Sequence, residues 1–112
     1  MLTVYVTESA FRCLSDIEAF KMESMGIMGI KEAAHFIEAL LLDAVKYLQE
    51  APERYRFNPV LADFGLRVRE RHDQKRGYRI LYEIREHSIY ILLILHKRQD
   101  LLTALYRHQM LK

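Results

Sequence analysis

The 112 residues are 51% hydrophobic with a formal net charge of +2, enough for one core, and no apolar run nears the ~18 residues of a membrane span. The single cysteine, Cys13, excludes an internal disulfide, and no basic segment followed by an apolar one opens the chain; the expectation is one domain over 1–112, soluble and cytoplasmic, with no membrane partner. Residues 1–65 hold six Lys/Arg against ten Asp/Glu, while residues 66–112 hold eleven against five. The basic half points to an anionic partner, nucleic acid or an acidic protein segment, with a merely solvated sheet face as the plainer reading.

Leu2 to Thr7 is short and β-branched and reads as a first strand. Thr7 or Ser9 can cap the helix that follows, in which Ala10, Phe11, Leu14, Ile17 and Phe20 recur at helical spacing. Cys13 borders that stripe with no His, Lys or Cys near it in sequence, so packing is its expected role. Met25 to Gly29 breaks the pattern as a turn, and a second helix follows from about Ile30 to Glu50. Its stripe is Ala33, Ile37, Leu40, Leu41, Ala44 and Leu48, flanked by Phe36 and Tyr47, and Ala51-Pro52 ends it. Glu53 to Gly65 reads as irregular, with Asn58-Pro59 as a turn. Leu66 to Arg71 reads as a strand with Arg67, Arg69 and Arg71 on one face, and His72 to Arg76 as a hairpin loop.

Gly77 to Asp100 is the most regular stretch. Tyr78, Ile80, Tyr82 and Ile84 alternate with Arg79, Leu81, Glu83 and Arg85, the pattern of a strand with one drier face. Ile89 to Leu95 is apolar on both faces, as in a strand covered on both sides, and Glu86-His87-Ser88 makes the turn between the two. The second strand exits into His96-Lys97-Arg98-Gln99-Asp100, where Asp100 can cap a last helix containing Leu101, Leu102 and Leu105. The fold class is therefore α+β, a helical hairpin packed on a small, mostly antiparallel sheet in the order β-α-α-β-β-β-α.

No histidine spacing suits zinc, no Cys pair exists, and no nucleophile-elbow or phosphate-loop motif occurs, so no metal or cofactor is expected. What remains is a cationic set: Arg67, Arg69, Arg71, Arg79, Lys97 and Arg98. Simple hairpins could bring several of them to one face, where their forked donors suit phosphate; alternatively they are solvated or pair with Glu70, Glu83 and Asp100.

The element order, the run Gly-Tyr-Arg-Ile-Leu-Tyr-Glu-Ile from Gly77, the run Ile-Leu-His-Lys-Arg-Gln-Asp ending at Asp100, and Gly65-Leu66-Arg67 resemble the RelE/ParE superfamily of toxins from type II toxin–antitoxin systems. The resemblance covers nearly the whole chain. It implies a growth inhibitor neutralised by a cognate antitoxin, with operator DNA reached only through that antitoxin. RelE-like members are ribosome-dependent mRNA endonucleases, and ParE-like members inhibit DNA gyrase by binding it.

In the nuclease case the resemblance assigns phosphate contacts to Arg67, Arg69, Arg79 and Arg98, with His96 or Glu83 as acid or base. Arginines stand at Arg67 and Arg69 where RelE has lysines, and arginine is a poor proton acceptor. The RelE tyrosine of the final helix is matched by Ala104, with Tyr106 two residues later on another face. The long hairpin and His96 with Asp100 look more ParE-like, so the reading is a plasmid-stabilisation type toxin acting on gyrase. The alternatives are a RelE-like ribonuclease acting on ribosome-bound mRNA and an inactive relative that only binds antitoxin. Target contacts are expected at Lys97, Arg98, Leu105, Tyr106 and Arg107. An acidic, amphipathic antitoxin tail is expected over Phe36, Tyr47, Arg67, Arg69 and Arg79.

Overall fold

A strand that is apolar on both faces must be covered twice, and the architecture of the computed structural model follows from that. It describes residues 1–26 and 29–110. The elements in chain order are β1 (Thr3–Val6), α1 (Glu8–Met25), α2 (Gly29–Glu50), α3 (Pro59–Asp63), β2 (Arg69–Asp73), β3 (Tyr78–Arg85), β4 (Ser88–His96) and α4 (Leu101–Arg107). One four-stranded sheet has the order β1-β4-β3-β2. The β2–β3 and β3–β4 pairs are antiparallel, and β1 lies parallel to β4. This is the expected α+β architecture, with one short helix added. Among the described residues, no helix is long and apolar enough to cross a membrane.

In β4, Ile89, Ile91, Leu93, Ile94 and Leu95 are each no more than 2% exposed. The β3 register steps from Leu81↔Leu93 to Tyr82↔Ile91, leaving Leu92 as an extra residue, a bulge. Ile94 therefore lies with Cys13 and Ile17 of α1, while Leu93 lies with Leu61 of α3 and Leu105 of α4. The helical hairpin covers one face, and the two short helices cover the other. The turn into α1 is fastened to β4 directly: Thr7 N–H and Oγ1 donate to the Ile91 carbonyl at 3.1 and 2.8 Å, and Ser9 Oγ donates to the Leu92 carbonyl at 2.7 Å. Thr7 is also the N-cap.

Three details differ from the sequence reading. The buried stripe of α1 is Ala10, Cys13, Leu14 and Ile17, whereas Phe11 and Phe20 are 56% and 66% exposed. Phe11 sits one position off the stripe, and Phe20 borders an open depression beside His96 and Gln99 instead of packed sheet. The stretch read as irregular contains α3, with Pro59 in its first turn and Asn58 Oδ1 accepting from Leu61 N at 3.0 Å. Five residues are too few to show helical periodicity. Finally, β2 begins at Arg69 and runs to Asp73, because Phe57 bridges to Arg69 and Asn58 N–H donates to the Val68 carbonyl ahead of it. In the break between α1 and α2, Gly26 closes α1 at φ +69 and Gly29 opens α2, while Ile27 and Met28 lie outside the described residues.

The burial assignments are testable as a pair. Ile80 is fully buried and Phe20 is not, so Ile80→Ala should cost about 2–5 kcal/mol and Phe20→Ala no more than about 0.5 kcal/mol. Urea unfolding midpoints at unchanged slope measure both; equal losses would contradict this packing.

Candidate functional site

The exit of β4 is a tight, hydrogen-bonded turn. Lys97 N–H closes the ladder on the Gly77 carbonyl at 2.9 Å, His96 N–H donates to Gln99 Oε1 at 3.2 Å, and His96 Nδ1 accepts from Arg98 N–H at 3.2 Å. The His96 ring meets Tyr78 edge-on at 5.5 Å. Asp100 then caps α4, accepting from Thr103 N at 2.9 Å and Thr103 Oγ1 at 2.7 Å. Those two bonds hold the Asp100 carboxyl below its ordinary pKa. Lys97 and Arg98 project into solvent and form no ion pair among the described residues.

Alpha helix α4 divides its candidate contacts sharply. Leu105 is 2% exposed and belongs to the core, while Leu102 and Tyr106 are 42% and 65% exposed. Arg107 pairs with Asp16 of α1 at 2.9 Å. The next residue, His108, is buried, with Nε2 3.6 Å from Cys13 Sγ. Burial raises the Cys13 pKa and lowers that of His108, so both are neutral at pH 7 and act as packing that fixes the helix end. A depression of about 560 Å³ opens between α1 and the strand exit, with Phe20, His96 and Arg107 in its wall.

The arginines expected to serve phosphate chemistry do not converge. Directly opposed residues share a sheet face, and Arg69 opposes Tyr82 while Arg71 opposes Ile80 on the hairpin side. Arg79 opposes His72 and so points to the other side, where it grips Glu70: Nε to Oε2 at 3.1 Å and Nη2 to Oε1 at 2.9 Å. Arg79 Nη1 also donates to the Gln99 carbonyl at 3.2 Å, tying β3 to the exit turn. Arg67 and Arg69 lie over the Phe57 ring at 4.8 and 4.1 Å, and Arg69 Nη1 donates to the carbonyls of Glu53 and Tyr55. Glu83 pairs with Arg85 and opposes Tyr90, whereas His96 opposes Tyr78 at the far end of β3. The two acid/base candidates are therefore not neighbours.

The flank aromatics are already capped by cations. Phe36 meets Tyr78 edge-on at 5.7 Å with Lys21 Nζ 4.1 Å above it, and Tyr47 carries Arg71 at 4.4 Å. Arg71 Nη1 is buried with no acceptor among the described residues.

Glu70, named from the sequence only as one of three possible partners for the arginines, is the centre of this face. Besides Arg79 it accepts from Asn58 Nδ2 at 3.0 Å and meets His72 Nε2 at 2.5 Å. Burial alone would raise its pKa; the bonds from Arg79, His72 and Asn58 outweigh that and hold the carboxyl below its ordinary value of 4.5. The sequence reading gave Glu70 no second or third partner, because His72 was assigned to the hairpin loop and Asn58 to a turn. Among the described residues, no group of three or more His, Cys, Asp and Glu is gathered as a metal site.

A helical hairpin on a four-stranded sheet with this strand exit is the architecture that the resemblance to the RelE/ParE superfamily implied. The family model for the ParE toxin of the type II toxin–antitoxin system parDE matches residues 28–101, and the chain belongs to that family. A solved structure titled chromosomal ParDE TA system from P. aeruginosa shares the fold, with a TM-score of 0.65 at 18% identity over 86% of this chain and 96% of that one. No curated protein matches the chain.

Because the Glu70 pKa is depressed on folding, its contribution to stability is present above about pH 4.5 and lost as the pH falls through the folded-state value. Glu70→Gln should cost about 1–3 kcal/mol at pH 7 and progressively less under acid conditions. Thermal melts of both proteins from pH 7 to pH 3 measure this; a gap that does not narrow would contradict the network.

Proposed function

We propose that the chain is a cytoplasmic growth inhibitor that acts by binding DNA gyrase and is silenced by a cognate antitoxin. The observation that carries this reading is the commitment of Arg79 to Glu70. A nuclease site needs arginines free to meet developing phosphate charge, together with a proton acceptor and a donor. Here the best-placed sheet arginine is bound to a carboxylate, Arg67 and Arg69 lie apart from it, and His96 and Glu83 stand at opposite ends of β3. A protein contact asks less: an exposed aromatic and nearby cations on a fixed helix. Tyr106, Leu102, Lys97 and Arg98 supply these beside the capped end of α4.

The family and the ParDE relative support an antitoxin partner, and the charge pattern favours an acidic, amphipathic tail. Carboxylates on such a tail can meet Lys21 above Phe36, Arg67, and Arg71 above Tyr47. The unpaired Arg71 Nη1 is the strongest attraction, because a buried donor without an acceptor costs about 1–3 kcal/mol. Leu105 is withdrawn from the target surface by its burial; it supports α4 from beneath.

Growth arrest after induction separates the mechanisms. Tyr106→Ala and Arg107→Ala should weaken toxicity by roughly 10-fold or more in effective dose, as hot-spot losses do, while Arg98→Ala leaves most of it. In a phosphate-cleaving site, Arg98→Ala would instead cost about 10²–10³-fold. Thermal melts of each variant exclude unfolding as the cause. Full loss with folded Arg98→Ala and silence of both α4 changes would overturn the gyrase reading in favour of the ribosome-dependent nuclease.

A further inference from the structure

Apart from Met1, Phe20 is the most exposed large apolar side chain among the described residues, at 66%. It does not stand on open helix surface. Its ring lines the depression of about 560 Å³ between α1 and the exit of β4, above the buried Ile17, Tyr78 and Ile94. The α1 side of this depression also carries Asp16 and Glu23, and the exit side carries His96 and Gln99. Arg107 joins it from the end of α4, paired with Asp16 at 2.9 Å. We propose that this depression seats an apolar anchor residue on an amphipathic helix of the target protein, with Phe20 as a contact residue for that anchor. The inference rests on the reading of the chain as a toxin that acts by binding gyrase.

Three observations favour that occupant. First, the depression is continuous with the surface already assigned to the target. Arg107 belongs to both, and His96 leads directly into Lys97 and Arg98, so a partner seated on Tyr106, Arg107 and Arg98 reaches Phe20 without leaving the protein. Second, the charges stand in two banks. Asp16 and Glu23 make the α1 bank acidic, and Glu23 is exposed and in no ion pair among the described residues. Lys97, Arg98 and Arg107 make the opposite bank cationic. A helix whose apolar stripe runs between a carboxylate flank and a cationic flank complements both banks. A uniformly acidic antitoxin tail would instead meet the α1 carboxylates with like charge. Third, the exit bank offers donors. His96 Nδ1 accepts from Arg98 N–H, so the neutral ring carries its proton on Nε2. Gln99 Oε1 accepts from His96 N–H, which leaves the Gln99 amide NH₂ to donate. Two donors beside Lys97 and Arg98 suit the carboxylate flank of such a helix. The exposed Phe20 ring supplies the desolvated contact that a hot spot needs.

The test is binding of the purified chain to immobilised gyrase, read by biolayer interferometry. Phe20→Ala should weaken affinity about 10-fold or more, as hot-spot losses do. Phe20→Leu keeps an apolar filler and should retain most of the affinity. Phe11→Ala removes a comparably bared ring from the same helix, outside the depression, and should change nothing. Glu23→Lys, on the exposed rim, should slow association because it reverses the acidic bank, and it tests the proposal even if Phe20→Ala does not fold. Thermal melts establish which variants are folded. Wild-type binding that is indifferent to both Phe20→Ala and Glu23→Lys would overturn this inference and leave the gyrase reading standing. A wild-type chain that does not bind gyrase at all would remove that reading and this inference with it. Two further results would overturn the inference alone. One is weaker capture of poly-glutamate, standing in for an acidic tail, by Phe20→Ala. The other is a wild-type dimer that Phe20→Ala converts to monomer in sedimentation, which would assign the depression to a second copy.

Discussion

Burial of β4 on both faces is the constraint on which the rest of the molecule depends. Seven consecutive positions, Ile89 to Leu95, are apolar, so the strand must be central and must carry helices above and below. Its two neighbours come from far-apart parts of the chain: β3 from the adjacent hairpin and β1 from the N-terminal residues lying parallel. A parallel neighbour needs a long crossover, and the helical hairpin α1–α2 begins that crossover directly from β1. Alternation lets one strand serve both layers, and the bulge at Leu92 shifts its phase so that Leu93 lies toward α3 and α4 and Ile94 toward α1. Where β4 ends, the apolar run ends too, and the chain passes into the exposed cations Lys97 and Arg98.

The second constraint is electrostatic. Arginine is always charged, so a half-buried one needs a partner or a large penalty follows. On the side of the sheet facing α3 and α4 that partner is Glu70, which gathers Arg79, His72 and Asn58 and so ties β2, β3, the cap of α3 and, through Arg79, the exit turn. Arg79, one of the arginines that would make a phosphate site in a nuclease relative, is thereby spent on tying β3 to β2 and to the exit turn. Of the other candidate cations, Lys21, Arg67, Arg69 and Arg71 rest on aromatic rings at the hairpin flank and the β2 edge, and Lys97 and Arg98 stand on the exit turn beside α4. Both suit recognition of another macromolecule better than proton transfer.

The fold was largely legible because its signals are periodic. Alternation from Tyr78 to Ile84, the unbroken apolar run of β4 and the helical spacing in α2 each specify an element and its buried side. What was not legible depends on contacts far apart in sequence or on runs too short to be periodic. Asn58-Pro59 reads equally as a turn or as the cap and first residue of a helix, and only the closure of α3 against Leu61 decides it. Phe11 and Phe20 are as apolar as their neighbours, and only the position of the sheet reveals that nothing lies over them. Arg67, Arg69 and Arg79 could be recognised as a set of cations, but their separation onto opposite faces follows from the β2–β3 register, which Phe57 and Asn58 help to fix. That Glu70 could pair with an arginine was legible; that it gathers Arg79, His72 and Asn58 was not, because these come from β3, β2 and the cap of α3.

The claim that ties these features together is that the molecule acts by contact and not by cleavage. The most direct measurement places the purified chain in a DNA supercoiling reaction with gyrase and, in parallel, with ribosomes translating a defined message. The expected result is dose-dependent loss of supercoiling while the message stays intact. Unimpaired supercoiling together with cleavage of the ribosome-bound message would contradict it.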